Sequence, residues 1–226
     1  SIFPTACSGR ARMSPPMNPA ISGLYAVTPD LADTAALLAK THAALAGGAR
    51  LLQYRNKTAD ENLRREQAAA LRKACRSYGA LLIINDHVDL AREIDADGVH
   101  VGADDAGVAA ARTRLGHGKI IGATCYKDPQ RARVAVAQGA DYVAFGSFYA
   151  SSVKPGAVRA PLALLQQARR EVLVPVVAIG GITLDNAATL IDAGAHAVAV
   201  ISALFAVPDV EAAARKFCQL LRARVI

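Results

Sequence analysis

The chain has 226 residues, of which 53% are hydrophobic and 20% are charged, a composition that excludes a disordered or fibrous protein and fits one globular domain. No apolar run is long enough to span a membrane. The formal net charge of +7 leaves nucleic acid, an anionic membrane or an acidic small molecule open as a partner, but the chain has no Trp and no basic strand with interspersed aromatic residues, which argues against nucleic acid.

The first predicted segment, residues 1–21, is rich in Pro, Ser and Ala and has no hydrophobic periodicity. Because it lacks the continuous apolar core of a secretory signal, we expect a flexible N-terminal extension. The four cysteines, Cys7, Cys75, Cys125 and Cys218, lie far apart without CxxC spacing, which favours a reducing compartment. We therefore predict a cytoplasmic protein.

Beyond this segment, short apolar stretches alternate with amphipathic, Ala-rich stretches. The apolar stretches predict strands at residues 23–28, 49–55, 80–85, 98–101, 119–125, 142–147, 175–181 and 197–202. The stretches with helical periodicity lie at residues 34–46, 61–78, 88–94, 107–115, 129–138, 161–171, 185–193 and 210–221. The strands are apolar on nearly every residue, which predicts burial on both faces, as in a parallel sheet covered by helices.

These units predict an α/β fold, namely a single-domain (β/α)8 TIM barrel over residues 22–226. A doubly wound open sheet is the alternative. It would usually carry a Gly-rich dinucleotide turn after its first strand, and the stretch YAVTPD has none.

Polar residues follow the strands, and in a (β/α)8 barrel all strands end at one mouth. The charged residues predicted there are Arg55, Lys57, Asp86, Asp104, Asp105 and Lys154. Carboxylates without a His or Cys cluster suit Mg²⁺, which prefers oxygen ligands, and basic side chains beside them suit a diphosphate. The glycines after the seventh strand and the pair Ile201-Ser202 after the eighth predict a second anion site, and hence two phosphorylated substrates.

Each of these residues has a structural alternative. The alternatives are helix caps at Asn85, Asp86 and Asp105, a tight turn at Gly180 and Gly181, and a solvated surface at Arg55 and Lys57. For His100, which lies within an apolar strand, a structural hydrogen bond is favoured over a role as a ligand. The joint placement of the polar residues at one end of the barrel is what favours a site.

Seven strings occur together in one order along the chain. They are QYRNK (53–57), IINDHVDLAREIDADGVHVGADD (83–105), GAT (122–124), DYVAFGSFY (141–149), VKPG (153–156), PVVAIGGITLDN (175–186) and AVISA (199–203). With these strings in this order, residues 23–206 resemble the thiamine-phosphate synthase family. The 19-residue separation of Asp86 and Asp105 is also that of the family.

The resemblance implies a transferase that condenses 4-amino-2-methyl-5-hydroxymethylpyrimidine diphosphate with 4-methyl-5-(2-phosphoethyl)thiazole by a Mg²⁺-dependent, dissociative displacement. It implies Asp86 and Asp105 as the ligands of Mg²⁺. The substrate-binding residues that it implies are Gln53, Tyr54, Arg55, Asn56, Lys57, Asn85, Thr124, Ser151, Ser152, Val153, Lys154, Gly181, Ile201 and Ser202. The catalytic residues that it implies are Arg55, Lys57, Thr124 and Lys154.

Other functions stay open at this point. A thiazole tautomerase-like relative would share the barrel but transfer a proton, and such relatives tend to lack the full Mg²⁺ and diphosphate set. A catalytically silent phosphate-binding barrel is motivated by Val153, which stands where the family usually has Thr. An epimerase or an indole-forming barrel would need acid and base residues against a carbon centre. A homo-oligomer is also left open.

Overall fold

The computed structural model of the chain describes residues 18–102, 107–150 and 159–224. Eight parallel strands close into one barrel in chain order, and β8 pairs with β1. The strands are β1 (Gly23–Val27), β2 (Leu51–Tyr54), β3 (Leu81–Asn85), β4 (Gly98–Val101), β5 (Ile120–Tyr126), β6 (Tyr142–Gly146), β7 (Val176–Ile179) and β8 (Ala197–Val200). The predicted (β/α)8 barrel is confirmed, and the open-sheet alternative is wrong.

Helices follow the strands on the outside of the barrel. They are α1 (Thr34–Ala46), α2 (Glu61–Ser77), α3 (Val88–Glu93), α4 (Gly107–Leu115), α5 (Pro129–Ala137), α6 (Ala163–Glu171), α7 (Leu184–Asp192), α8 (Ser202–Phe205) and α9 (Val210–Arg222). Only α8 was not predicted, because four residues are too few to show helical periodicity. Within the described ranges, no helix is long and apolar enough to cross a membrane.

The apolar residues form two cores, one between the sheet and the helices and one in the lumen of the barrel. Ile21, two residues before β1, is 1% exposed and belongs to the lumen core. Its backbone N–H donates to the carbonyl oxygen of Asn18. Ile21 therefore packs with the barrel, while the domain boundary after residue 21 stays a prediction. A single Ile among Pro, Ser and Ala residues gives no periodic signal, so the sequence pattern could not reveal this packing.

An ion pair holds the N-terminal end of the barrel, opposite the mouth. Asp141, immediately before β6, accepts hydrogen bonds from Ile121 N at 2.7 Å and from Arg112 Nη2 at 2.6 Å. Arg112 is mostly buried and also donates to the carbonyl oxygens of Gly116, Lys119 and Gly139. One guanidinium therefore joins α4 to the chain segments that enter β5 and β6.

We expect Arg112→Ala to lower the free energy of unfolding by about 2 to 4 kcal/mol, because it leaves the Asp141 carboxylate without its cation and several carbonyl groups without their donor. The matched control is Arg114→Ala on the same helix, whose ion pair with Asp89 is exposed. That change should stay within about 0.5 kcal/mol. Urea unfolding followed by circular dichroism measures both variants, and equal losses would contradict the role of Arg112.

Candidate active site

The end of β2 provides an amide and two cations. Gln53 is 6% exposed, and its Nε2 donates to Tyr25 Oη at 2.9 Å. The Arg55 guanidinium donates to Asp30 Oδ1 at 3.2 Å, and the Lys57 backbone N–H donates to the same oxygen at 2.9 Å. Asp30 follows β1, so a carboxylate from the neighbouring strand end orients Arg55 and the start of the next loop. Sequence analysis assigned no role to Asp30.

Two residues next to these cations have their side chains engaged with the scaffold. The Tyr54 hydroxyl donates to Gln67 Oε1 at 2.8 Å, and burial raises the pKa of Tyr54 to about 12. Asn56 donates to Leu31 O and to Gln67 Oε1, and its Oδ1 accepts from Thr58. A substrate contact for Tyr54 and Asn56 stays a prediction. What the structure adds is that both side chains hold the loop that carries Lys57.

The end of β3 presents a carboxylate in an unusual backbone conformation. Asp86 is exposed and has a φ of 63°, in the left-handed region that Asn, Asp and Gly adopt most readily. Its Oδ2 accepts a hydrogen bond from Asn85 Nδ2 at 2.8 Å. The cap position of α3 is His87, which makes no side-chain capping bond, so the alternative that Asn85 or Asp86 caps this helix is wrong.

These strand ends share one cavity of about 240 Å³ at the mouth. Its lining includes Lys57, Asn85 and Asp86, so the structure brings these three predicted residues to one cavity, while their binding roles stay predictions. Arg64, from the first turn of α2, also lines the cavity. Sequence analysis missed Arg64 because it lies within a run of charged residues that has the pattern of a solvated helix face.

Several predicted site residues fall outside the described ranges. They are Asp104, Asp105, Ser151, Ser152, Val153 and Lys154. In the part of the chain that the structure describes, no three His, Cys, Asp or Glu side chains cluster as they would around a metal ion. The cavity lining does include Asp86, which has a carboxylate, and Asn85, which has an amide oxygen. Oxygen ligands of this kind suit a hard cation such as Mg²⁺.

A hydrogen-bond chain crosses the lumen below the mouth. His100 Nε2 lies 2.8 Å from Thr124 Oγ1, and His100 Nδ1 lies 2.9 Å from Tyr142 Oη. Tyr142 Oη lies 2.8 Å from Tyr25 Oη, which accepts from Gln53. The structural hydrogen bond expected for His100 is confirmed. Tyr25 and Tyr142 were missed because an aromatic residue in an apolar strand has the pattern of ordinary core.

Burial lowers the pKa of His100 to about 4, against an ordinary value of 6.5. The folded protein therefore keeps His100 neutral between these values, while the unfolded chain binds a proton. We expect this residue to remove stability as the pH falls from 6.5, by on the order of 3 kcal/mol at pH 4. Urea unfolding at several pH values should show a smaller loss in His100→Gln than in the wild type. Equal slopes would contradict a neutral, buried His100.

A second cavity, of about 210 Å³, lies where β7 and β8 end. Its lining includes Gly181, Ile201 and Ser202, the residues predicted for the second anion site, together with Ala150 and Gly180. Gly181 has a φ of 62°, and a Cβ there would lie 2.2 Å from the carbonyl oxygen of Ala150. Only glycine allows this close approach of the two loops.

Comparison with known proteins agrees with this geometry. A family model described as thiamine monophosphate synthase matches residues 24–204. A thiamine-phosphate synthase of Nitrosospira multiformis is 54% identical over 89% of this chain and 86% of its own length, and one of Methylobacillus flagellatus is 57% identical over 89% and 96%.

Solved structures point the same way. A thiamine phosphate pyrophosphorylase from Pyrococcus furiosus superposes with a TM-score of 0.82 at 33% identity, covering 92% of this chain and 99% of that one. A 3-hexulose-6-phosphate synthase has a TM-score of 0.68 at 20% identity, covering 88% and 99%, and this likeness shows the fold alone.

Proposed function

Because the chain belongs to the thiamine monophosphate synthase family, we infer that it is the transferase of thiamine biosynthesis that makes thiamine phosphate and diphosphate from the pyrimidine diphosphate and the thiazole phosphate named above. The observation that carries this inference is the family match over residues 24–204, a range that contains all eight strand ends. The thiazole tautomerase-like relative and the catalytically silent barrel are not favoured, since the relatives of more than 50% identity are thiamine-phosphate synthases.

In this reaction the bond between the pyrimidine methylene carbon and the diphosphate oxygen breaks, and its electron pair leaves with diphosphate. The thiazole nitrogen then gives its lone pair to the methylene carbon. The electron-rich aminopyrimidine ring stabilises the cation between these steps, so no nucleophilic side chain is needed. The task of the protein is to neutralise the leaving group and to exclude water.

We propose that Arg55, Lys57 and Asn85 bind the diphosphate, together with Lys154. The placement of Lys57 and Asn85 on one cavity supports this role, as does the ion pair that orients Arg55. Charge-assisted hydrogen bonds from such groups are the strong contacts to phosphate oxygens. Arg64, on the same cavity, adds a further positive charge close to these groups.

We also propose Asp86 and Asp105 as the residues that hold Mg²⁺. The exposed Asp86 carboxylate, oriented by Asn85, supports the proposal. The bound ion would neutralise charge that develops on the departing diphosphate. Around it, Asn85 keeps the carboxylate in position and the cationic side chains hold the remaining phosphate oxygens.

For the thiazole phosphate we propose the cavity beside β7 and β8. Gly181, Ile201 and Ser202 line it, and the backbone N–H groups of such turns suit phosphate oxygens. Residues 151–153, predicted to contribute here, lie outside the described ranges. The cytoplasmic location and a homo-oligomer stay predictions.

We expect Asp30→Ala to raise the KM for the pyrimidine diphosphate about tenfold with a smaller effect on kcat, because Arg55 loses the carboxylate that orients it. The control is Asp192→Ala, which removes an exposed partner of Arg224 far from the mouth. Steady-state kinetics measures both variants. An unchanged KM in Asp30→Ala would show that Asp30 does not orient Arg55 for binding.

The test of the function is an assay of diphosphate release and thiamine phosphate formation by the purified chain with both substrates and Mg²⁺. We expect both products in equal amounts, none from either substrate alone, and loss of turnover on chelation. Product formation that survives chelation would overturn the Mg²⁺ site and leave the activity in place. Failure to form thiamine phosphate under any of these conditions would overturn the function.

A further inference from the structure

Five polar residues in the lumen form one continuous chain of hydrogen bonds, which we call the lumen chain. Its order is Gln53, Tyr25, Tyr142, His100 and Thr124. Tyr25 and Tyr142 are 1% and 0% exposed, and His100 is 6% exposed. The two ends, Gln53 and Thr124, are both among the substrate-binding residues that the family resemblance implies, and we assign both to the pyrimidine diphosphate. Buried polar groups therefore connect two separate substrate contacts.

The lumen chain has a direction, because each link carries one proton. Gln53 Nε2 donates to Tyr25 Oη, whose other partner among the described residues is Tyr142 Oη, so the Tyr25 proton points to Tyr142. Tyr142 then donates to His100 Nδ1. Neutral His100 carries its proton on Nε2 and donates it to Thr124 Oγ1. Thr124 consequently keeps its own proton for a ligand.

The opposite direction is the one other arrangement that satisfies every link and also gives every buried hydroxyl proton a partner. It requires the Gln53 amide to rotate, so that its Oε1 accepts from Tyr25, and it turns Thr124 into a donor to His100. Any mixture of the two directions leaves a buried hydroxyl proton without a partner, or places two protons or two lone pairs against each other, and either fault is costly in a buried site. Whether Gln53 offers a hydrogen-bond acceptor or a donor to a ligand is therefore coupled to whether Thr124 offers a donor or an acceptor.

We propose that the lumen chain selects the pyrimidine substrate by its 4-amino group, with Tyr25, Tyr142 and His100 as positioning residues. The proposal rests on the proposed function. Diphosphate oxygens only accept hydrogen bonds, so Thr124 beside them must donate. The lumen chain then keeps Gln53 Nε2 directed at Tyr25 Oη and leaves Gln53 Oε1 for the ligand. A 4-amino group donates to this oxygen, whereas a 4-oxo group would place one lone pair against another.

The packing of the lumen supports a fixed chain. The rings of His100 and Tyr142 are stacked, with centroids 5.5 Å apart and an interplanar angle of 27°. Tyr25 meets Tyr142 edge to face, with centroids 5.9 Å apart. Tyr142 lies across Gly122, where a Cβ would come within 2.0 Å of the Tyr142 Cζ. The residue at position 122 therefore provides the room that Tyr142 needs to reach His100.

The first test compares kcat/KM for the pyrimidine diphosphate and its 4-oxo analogue. In Tyr142→Phe the Tyr25 proton has no partner but Gln53, whose amide should rotate. We expect the preference for the 4-amino substrate to fall at least about tenfold. Tyr78→Phe, which removes a hydroxyl outside the lumen chain, should keep the wild-type preference. An unchanged preference in a folded Tyr142→Phe would overturn the proposal, because a purely structural role would lower both activities alike.

Should Tyr142→Phe fail to fold, Tyr25→Phe cuts the lumen chain at the neighbouring link and should lower the same preference. A second readout needs no turnover. Nitrogen NMR of the whole chain with labelled histidine and bound pyrimidine diphosphate should find the His100 proton on Nε2, and a proton on Nδ1 would overturn the proposal. A failed synthase assay would overturn the proposed function. The His100 tautomer is independent of turnover and tests only the direction of the lumen chain.

Discussion

Asp86→Asn is expected to lower kcat/KM of the synthase reaction about 100-fold or more while leaving the free energy of unfolding nearly unchanged. The substitution removes the negative charge of the Asp86 carboxylate, a proposed ligand of Mg²⁺. Loss of one preorganised electrostatic contact with the reacting groups has effects of this size. Asn also adopts the left-handed backbone, so the φ of 63° at this position is kept without new strain.

Asp86→Ala separates the two roles of this position. Ala lacks the charge and also disfavours the left-handed region, so this variant should lose about as much activity and, in addition, about 1 kcal/mol of stability. Asp89→Asn, three residues further on at an exposed site, is the control and should keep wild-type kinetics. Mg²⁺ titrations of activity and urea unfolding measure these effects. Wild-type Mg²⁺ dependence in Asp86→Asn would remove Asp86 from the ion site.

Gly122→Ala is expected to lower the free energy of unfolding by at least about 3 kcal/mol or to prevent folding. The new methyl group would lie 2.0 Å from Tyr142 Cζ and 2.3 Å from its Oη, which are distances that real Cβ atoms do not tolerate. Tyr142 is fully buried among lumen residues and hydrogen-bonded to Tyr25, so its ring cannot move aside without breaking the lumen chain.

The matched control for this change is Gly118→Ala, where a Cβ would have no neighbour within 4 Å. That variant should be as stable as the wild type or slightly more so, because Ala restricts the unfolded chain. Urea unfolding compares the two. If both variants unfold alike, close packing at position 122 is not what determines its requirement for glycine.

The fold could be predicted because its signals are local and repeated. Near-continuous apolar strands alternate with amphipathic helices, and the bounds of α1 and α4 were predicted to the residue. The mouth could be predicted as well, since parallel strands bring Lys57 and Asp86 together wherever the chain connections run.

The internal contacts of the site could not be predicted in this way. Nothing in the sequence near Tyr25 reveals that its hydroxyl meets one 117 residues away. The roles of Arg64 and Asp30 could not be predicted for a similar reason. A charged residue on a helix or in a loop has the same sequence pattern whether it faces solvent or a cavity. Such contacts depend on three-dimensional register, which hydrophobic periodicity does not encode.

The network of Arg112 and Asp141 ties the barrel together at the end farthest from the mouth. The side chains that stabilise this end of the barrel are consequently separate from those that line the two cavities at the mouth. Libraries of random substitutions in the loops around Lys57 and Gly181 should therefore yield many folded variants with altered substrate selectivity. Libraries of substitutions around Arg112 and Asp141 should yield mostly insoluble variants.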